Sequence, residues 1–473
     1  MGLGKRHFCA VVFSDLERHS TAWTALPKEE AVVLIDTYRQ TAETLSGRFG
    51  ALHQNFTGDG HLFLFDSTDV AVQFGLSLID AWDRLNGCDA DSLRLRIGCH
   101  FGECAPLQDE SAWIGRAIGL AKRVESIAAA GTLFVTESAL ESLDIPLYGY
   151  ESAGRFSLKG DHLAERALYR IMSVDQRALK GRGLDQISAE EAFLRGVASV
   201  GSSRAEYEEE AQWYREALKR RPDYPEAHNN LGIVLRRLGN EQEAAAHYRE
   251  ALRFRPDYPE ADYNFGLLLA SQGKLTGAIE HLGNSIKQRE DNAAAYHALG
   301  NAYKVRGDAA EARRCYERTL AIRPGYAEAH NDFAMLLLQI GDYAGANEHC
   351  KEALRLRPDY AEAHYNFALV LEDTGHVVAA QKHYERALTL RPDYPEAHNN
   401  LAALLHTEGC LDEAEPHYEK ALALRPDDPE AYHNYALLLR AKGDETRAQQ
   451  YFALAKNLMP DSSRIGTVFE SPR

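Results

Sequence analysis

The chain has 473 residues, a formal net charge of -17, and 45% hydrophobic and 26% charged residues. This composition is typical of a globular protein of two or three domains and excludes collagen-like, disordered and disulfide-scaffold classes. No apolar run approaches the roughly 18 residues of a membrane span, and the acidic balance argues against a dedicated nucleic-acid-binding protein. The seven scattered cysteines form no Cys-x-x-Cys pair, which favours reduced thiols and a cytoplasmic location.

The first part of the chain alternates short apolar runs with helical stretches. The turn Thr57-Gly58-Asp59-Gly60 lies between two alternating runs, and an Asp-Gly corner in that setting indicates a β-hairpin. In chain order, the predicted elements are strand 7–13, helix 28–49, strands 52–56 and 61–65, helix 69–85, strand 93–100, helix 115–129 and strand 132–136. This mixture predicts an α+β domain that is long enough to fold alone.

Several segments of this domain resemble the class III nucleotide cyclase catalytic domain in their order and spacing. They are Val11-Val12-Phe13-Ser14-Asp15, Thr57-Gly58-Asp59-Gly60, Arg94-Leu95-Arg96-Ile97-Gly98-Cys99-His100-Phe101-Gly102, residues 115–123, and Phe156-Ser157-Leu158-Lys159-Gly160. The resemblance covers residues 1–172 and implies a ferredoxin-like core, with an antiparallel or mixed sheet and helices.

The same resemblance implies a reaction and its cofactors. Enzymes of this family direct the ribose 3′-hydroxyl of ATP or GTP onto the α-phosphate and release pyrophosphate, with two divalent cations, Mg²⁺ or Mn²⁺. Asp15 at a strand end and Asp59 in the hairpin turn match the two metal-binding aspartates. Taken separately, each could be an ordinary strand-end or turn residue, since Asp is common there. Together, in this framework, they favour a metal site.

A helical segment supplies the residue that the resemblance assigns to catalysis. Arg123 matches an arginine that supports the transition state from the partner subunit, so the resemblance implies a homodimer. The asparagine that the family places four residues earlier is Gly119 here. The alternative for Arg123 is an arginine on an exposed helix face.

Three further positions correspond to nucleotide-binding residues of the family and depart from its pattern. The lysine that contacts the purine is Asn55, which can still hydrogen-bond a base, and its partner is Ala112, which cannot. A flexible Gly-Phe after the first aspartate is replaced by a pair that begins with Arg18. This arginine either blocks the close approach of the loop to phosphate or supplies a phosphate-binding cation.

The second part of the chain repeats itself every 34 residues. Proline, glycine and alanine recur with this step, as at Pro222, Gly239 and Ala244, and each unit contains two helical stretches with the glycine between them. This pattern resembles the tetratricopeptide repeat and implies an all-α solenoid. The predicted parts are a linker over 173–187, a degenerate capping unit over 188–221, seven units over 222–461 and a tail over 462–473.

Two polar residue types recur within these repeats. An amide carries donors and acceptors, so a row of asparagines suits an extended peptide backbone; the alternative is solvated helix surface. The predicted peptide groove contains Asn230, Asn264, Asn366, Asn400 and Asn434, and is interrupted by Ala298 and Asp332.

Histidines recur too, as at His228 and His247. Equivalent positions in adjacent repeats lie at least ~8–10 Å apart, too far to share a metal ion. We therefore interpret these histidines as packing or surface residues.

Three functions remain open at this point. The retained Asp15, Asp59 and Arg123 favour a nucleotide cyclase regulated by a protein or peptide bound to the repeats, with a mild preference for ATP. The absence of the family asparagine at Gly119 and the altered purine contacts favour a degenerate domain that senses nucleotide or dimerises on a peptide-binding scaffold. A repeat scaffold behind an inert domain is the third.

Overall fold

A computed structural model describes residues 7–16, 28–56, 60–86, 94–106, 113–114, 116–129, 131–143, 148–156, 166–174, 187–199 and 203–458. The chain divides into two compact units, Met1–Glu290 and Asp291–Arg473. Within the described ranges, no helix combines the length and the apolar character needed to cross a membrane.

The first unit begins with a mixed sheet and its helices. The strands are β1 (His7–Leu16), β2 (His53–Phe56), β3 (His61–Phe65), β4 (Leu95–Pro106), β5 (Trp113–Ile114), β6 (Thr132–Thr136), β7 (Tyr148–Phe156) and β8 (Arg166–Val174). The helices are α1 (Lys28–Phe49), α2 (Thr68–Asn86), α3 (Arg116–Ile127) and α4 (Glu137–Glu141). The sheet order is β2-β3-β1-β4-β6-β8-β7, with β5 paired to β4. Only the β4–β6 pairing is parallel among the described strands.

Helices cover both faces of this sheet, which explains why β1 is a continuous apolar run. One face of β1, with Ala10 and Val12, packs into a core that includes Trp82 and Phe74 of α2. The opposite face, with Val11, packs against α3. Gly98 in β4 permits the close approach of α3, since a Cβ there would overlap the backbone of Ala121 and Glu125.

Helix pairs follow the sheet in the same unit. They are α5 (Ala189–Ala198) with α6 (Arg204–Arg220), α7 (Pro225–Arg237) with α8 (Glu241–Phe254), and α9 (Pro259–Ser271) with α10 (Leu275–Gln288). Gly196 and Gly232 permit the two helices of the first and second pair to pack closely, because a Cβ at either glycine would overlap a tyrosine ring of the second helix.

The described part of the second unit, up to residue 458, contains five more helix pairs. They are α11 (Ala293–Arg306) with α12 (Ala309–Ile322), α13 (Ala327–Gln339) with α14 (Tyr343–Leu356), α15 (Ala361–Asp373) with α16 (Val377–Leu390), α17 (Pro395–Thr407) with α18 (Leu411–Leu424), and α19 (Pro429–Ala441) with α20 (Glu445–Leu458). In all seven 34-residue units, the glycine between the helices has φ between +70° and +92°. The predicted left-handed glycine turn is therefore confirmed.

Candidate functional site

Asp15 lies near the end of β1 and forms an ion pair across the sheet. It stands opposite Arg96 of β4 in the antiparallel register, and Arg96 Nη2 lies 2.8 Å from Asp15 Oδ2. The same guanidinium lies 3.2 Å from Oε1 of Glu125 on α3. The Asp15 side chain keeps 17% of its surface exposed at the strand end.

The hairpin that carries the second predicted carboxylate borders the same strand end. Ser14 pairs with His61 of β3, and a Cβ on Gly60 would lie 3.0 Å from the Ser14 carbonyl oxygen. Asp59 itself lies outside the described residues, as do Arg18 and Ala112. A strand-end carboxylate is the hard oxygen ligand that Mg²⁺ and Mn²⁺ take, so Asp15 fits a metal-binding role. The described ranges contain no cluster of three or more metal-ligating side chains.

Helix α1 fixes the strand end from the opposite face. The Tyr38 hydroxyl and Ser14 Oγ share a buried hydrogen bond of 2.6 Å, and burial raises the pKa of Tyr38, which therefore stays protonated. His61 packs against Tyr38 with ring centroids 6.1 Å apart. Burial, with smaller contributions from Arg39 and Arg289, lowers the pKa of His61 to about 3, so this ring is neutral at pH 7.

Asn55 and Asp15 lie on the same face of the sheet. Asn55 pairs with Leu62, and Leu62 pairs with Phe13, two residues before Asp15. Paired residues of an antiparallel sheet share a face, as do residues two apart on a strand. This is the face that α3 covers, where Lys122 Nζ lies 5.4 Å from the centre of the Phe13 ring.

Arg123 and Gly119 lie one turn apart on α3 and therefore share a side of that helix. Gly119 is exposed, and a Cβ there would meet no atom of the described residues within 4 Å. Arg123 is half-buried, and its carbonyl oxygen accepts a hydrogen bond from Ser126 Oγ at 2.8 Å. Among described side chains, no carboxylate forms an ion pair with Arg123.

The asparagines of the predicted groove are partly used by the protein itself. The buried Asn230 donates from Nδ2 to the Arg48 carbonyl oxygen of α1 at 2.5 Å. The other four, half-buried, donate to a residue 35 positions earlier: Asn264 to Asn229, Asn366 to Asn331, Asn400 to Tyr365 and Asn434 to Asn399. These amides thus link successive repeats. Their contact with a peptide stays a prediction.

The recurrent histidines form pairs inside a repeat. In four repeats, two imidazoles lie 19 residues apart in sequence with their Nδ1 atoms 2.8–2.9 Å apart: His228 with His247, His330 with His349, His364 with His383 and His398 with His417. Nε2 of each first histidine donates to the carbonyl oxygen of a proline six residues earlier. Each neutral pair therefore shares one proton between its Nδ1 atoms.

Sequence reasoning missed the residues that support the site. Arg96 belongs to the segment Arg94 to Gly102 that resembles the cyclase family, but its pairing with Asp15 depends on the register of β1 with β4. Nothing in the sequence marks Tyr38 or Arg48, because each contacts residues from distant parts of the chain. The histidine pairs could have been found from their constant separation of 19 residues.

Comparisons with known families agree with this architecture. Residues 4–173 match the family described as adenylate and guanylate cyclase catalytic domain. Tetratricopeptide repeat families match residues 210–259, 266–305, 291–359, 331–395, 365–429 and 417–450. No curated protein sequence matches the chain.

Several solved structures are similar to part of the chain. The adenylyl cyclase CyaB from P. aeruginosa is 20% identical, covers 37% of this chain and 98% of its own, and has a TM-score of 0.33. The Pseudomonas aeruginosa protein pilF is 22% identical, covers 43% and 93%, and has a TM-score of 0.40. MamA is 27% identical, covers 34% and 94%, and has a TM-score of 0.31. The family matches alone identify residues 4–173 as an adenylate and guanylate cyclase catalytic domain, which the chain joins to an array of tetratricopeptide repeats.

Proposed function

We propose that the protein is a nucleotide cyclase that converts ATP or GTP to a 3′,5′-cyclic nucleotide and pyrophosphate. One structural observation supports this proposal in addition to the family match. Asp15 is half-buried at a strand end, near Gly60 of the hairpin and on the same sheet face as Asn55 and α3. Metal-binding, base-binding and transition-state residues would have to converge in such an arrangement.

Each residue has a proposed task. Asp15 and Asp59 would hold two divalent cations, which lower the pKa of the 3′-hydroxyl and neutralise the triphosphate when they are bound. Arg96 positions the Asp15 carboxylate through their ion pair. Asn55 hydrogen-bonds the base, and Arg18 contacts phosphate.

Arg123 is proposed to act across a homodimer. Its position on α3, without a carboxylate partner among the described side chains, leaves the guanidinium available to a nucleotide held by another subunit. A planar, permanently charged group of this kind stabilises negative charge that develops on phosphate oxygens.

The repeats are proposed to bind a protein partner that regulates the domain. We retain the boundaries predicted from the sequence: the cyclase domain over 1–172, the linker over 173–187, the capping unit over 188–221, seven units over 222–461 and the tail over 462–473.

A second candidate function is a nucleotide-sensing or dimerising domain without turnover. Gly119 favours it, because this exposed position offers no side chain where the family has an asparagine. The purified full chain, incubated with ATP or GTP and Mn²⁺ or Mg²⁺, separates the two functions. Cyclic product supports the cyclase. Metal-dependent stabilisation by nucleotide in a thermal-shift assay, without product, supports the sensor.

A further inference from the structure

The end of α1 lies against the first repeats through specific polar contacts. Arg48 Nη2 forms an ion pair of 2.7 Å with Glu210 Oε1 of α6, and the Glu210 side chain is only 3% exposed. The Arg48 carbonyl oxygen accepts the amide hydrogen of Asn230 on α7. The same residue therefore engages two successive helix pairs, once with its side chain and once with its backbone.

Two glycines beside Arg48 permit this close approach. A Cβ on Gly47 would lie 3.1 Å from Glu260 Cγ, and a Cβ on Gly50 would overlap the Glu226 side chain. Gly50 also has φ of +70°, a conformation that side chains rarely adopt. Because both positions are glycine, the backbone here contacts the glutamates of two consecutive repeats, Glu226 and Glu260.

These glutamates belong to a row that recurs along the array. In five repeats, a glutamate near the start of the first helix forms an ion pair with an arginine 29 residues later. In the second unit, Glu328, Glu362 and Glu396 are 37–43% exposed and their arginines 39–41%. In the first unit, Glu226 and Glu260 are only 10% and 12% exposed. The end of α1 thus covers, in the first repeats, a surface that later repeats leave open.

Beside this row, the buried Glu210 of α6 takes its cation from Arg48 of α1. Burial raises the pKa of the Glu210 carboxyl, and Arg48 opposes that shift. Without a cation, this glutamate would be a charge buried at considerable cost. The first repeats are therefore matched to a chain segment that brings an arginine to Glu210 and a carbonyl oxygen to Asn230.

The docked helix also holds the strands of the candidate site. Tyr38 of α1 hydrogen-bonds Ser14, which precedes Asp15. Ser46 donates to Gln54 Oε1 of β2 at 2.7 Å, next to Asn55. A displacement of the end of α1 would therefore disturb β2 directly, through the bond from Ser46 to Gln54. It would disturb β1 through Tyr38, which lies further back on the same helix.

We propose that residues 46–51 are an internal ligand of the first repeats, held by Glu210 and Asn230, and that an arginine-bearing segment of a protein partner regulates the cyclase domain by displacing them. This inference deepens the proposed function and rests on it for its effect on turnover. The docking and its coupling to β2 do not depend on turnover.

Charge reversal in the full chain tests the docking. We would compare Arg48→Glu, Glu210→Arg and the double variant with Arg84→Glu, which disrupts an exposed pair on α2. The readout is hydrogen exchange of the amides in 44–56 and 206–232. Each single variant at the interface should raise exchange there at least tenfold, the double variant should restore protection, and Arg84→Glu should leave it unchanged. Unchanged exchange in both single variants would overturn the docking.

A milder pair of variants keeps the test valid if charge reversal prevents folding. Asn230→Ala removes the bond to Arg48, whereas Asn366→Ala removes an equivalent amide that donates to Asn331. Only Asn230→Ala should raise exchange in 44–56. If exchange increases in residues 44–52 but not in β2, and turnover is unchanged, the regulatory coupling is overturned. A wild-type protein without cyclic product would refute the proposed function, while exchange in β2 would still decide the coupling.

Discussion

Arg96 lies opposite Asp15 in the sheet, and its guanidinium joins the Asp15 carboxylate to Glu125 of the helix above. The proposed metal-binding carboxylate is thus held by a cation before any metal binds. Arg96 fixes the orientation of Asp15 and also competes with a bound cation for its charge.

We expect Arg96→Met to lower both stability and turnover. The substitution removes the cation beside two partly buried carboxylates, which should decrease the free energy of unfolding by about 2–4 kcal/mol. Loss of Asp15 orientation should decrease kcat at least tenfold. Urea unfolding and steady-state kinetics measure the two effects, and Arg96→Lys should recover part of each. Full activity in Arg96→Met would show that Asp15 needs no positioning residue.

Two glycines of the cyclase domain should respond oppositely to alanine. Gly98→Ala places a Cβ into the backbone of α3, so the helix must shift and the free energy of unfolding should fall by about 3 kcal/mol. Gly119→Ala adds a methyl group on an exposed helical position with open space, and should raise it by up to about 1 kcal/mol. Chemical denaturation of both variants compares them. Equal effects would contradict the close packing of α3 at Gly98.

Gly119→Asn should increase turnover of the cyclase. The position has room for the side chain and lies one turn before Arg123, as in the family pattern. Because an amide there adds a hydrogen bond in the transition state, we expect a higher kcat with little change in KM. Parallel assays of Gly119→Asn and Gly119→Ala separate the amide from the helix propensity. A kcat no higher than that of Gly119→Ala would exclude this role.

The histidine pairs should make the repeats sensitive to acid. Burial, with the partner histidine second, lowers the pKa of His383 to about 4, and burial lowers that of His364. The unfolded chain, with a histidine pKa near 6.5, binds protons more readily. Stability from these pairs is therefore complete above about pH 6.5 and is lost as pH falls toward 4.

Thermal unfolding followed by helical circular dichroism at several pH values measures this dependence. The decrease in Tm between pH 7 and pH 4.5 should be smaller in His383→Gln than in the wild type. His376→Gln, at an exposed turn, is the matched control and should behave like the wild type. An unchanged pH dependence in His383→Gln would show that the pairs do not set acid sensitivity.

The sequence was most informative where structure is local. The 34-residue step predicted the helix pairs and their glycine turns, because each repeat packs mainly on its neighbours. The hairpin at residues 57–60 was predicted from turn chemistry, and its flanking strands β2 and β3 are antiparallel. Strand 93–100 was predicted too short, since β4 extends to Pro106.

Contacts between distant segments could not be predicted in this way. The Asp15–Arg96 pair requires the register of two strands 81 residues apart. Asn230 was assigned to a peptide groove from its repeat position alone, and its bond to Arg48 depends on how the first repeats pack on α1. The histidine pairs differ from these contacts, because they form within one repeat and their constant separation of 19 residues can be read from the sequence.

Metal-dependent product formation tests whether Asp15 and Asp59 form a two-cation cyclase site. It is measured for the wild type, Asp15→Ala, Asp59→Ala and the control Asp80→Ala, whose carboxylate belongs to an exposed pair on α2. With Mn²⁺ or Mg²⁺ and ATP or GTP, the wild type and Asp80→Ala should form cyclic nucleotide and pyrophosphate. Asp15→Ala and Asp59→Ala should lose at least ~100-fold in rate, since each removes a ligand of the proposed two-cation site. Absence of cyclic product from the wild type with every combination would contradict cyclase activity, and equal rates in all four proteins would contradict a role for Asp15 and Asp59.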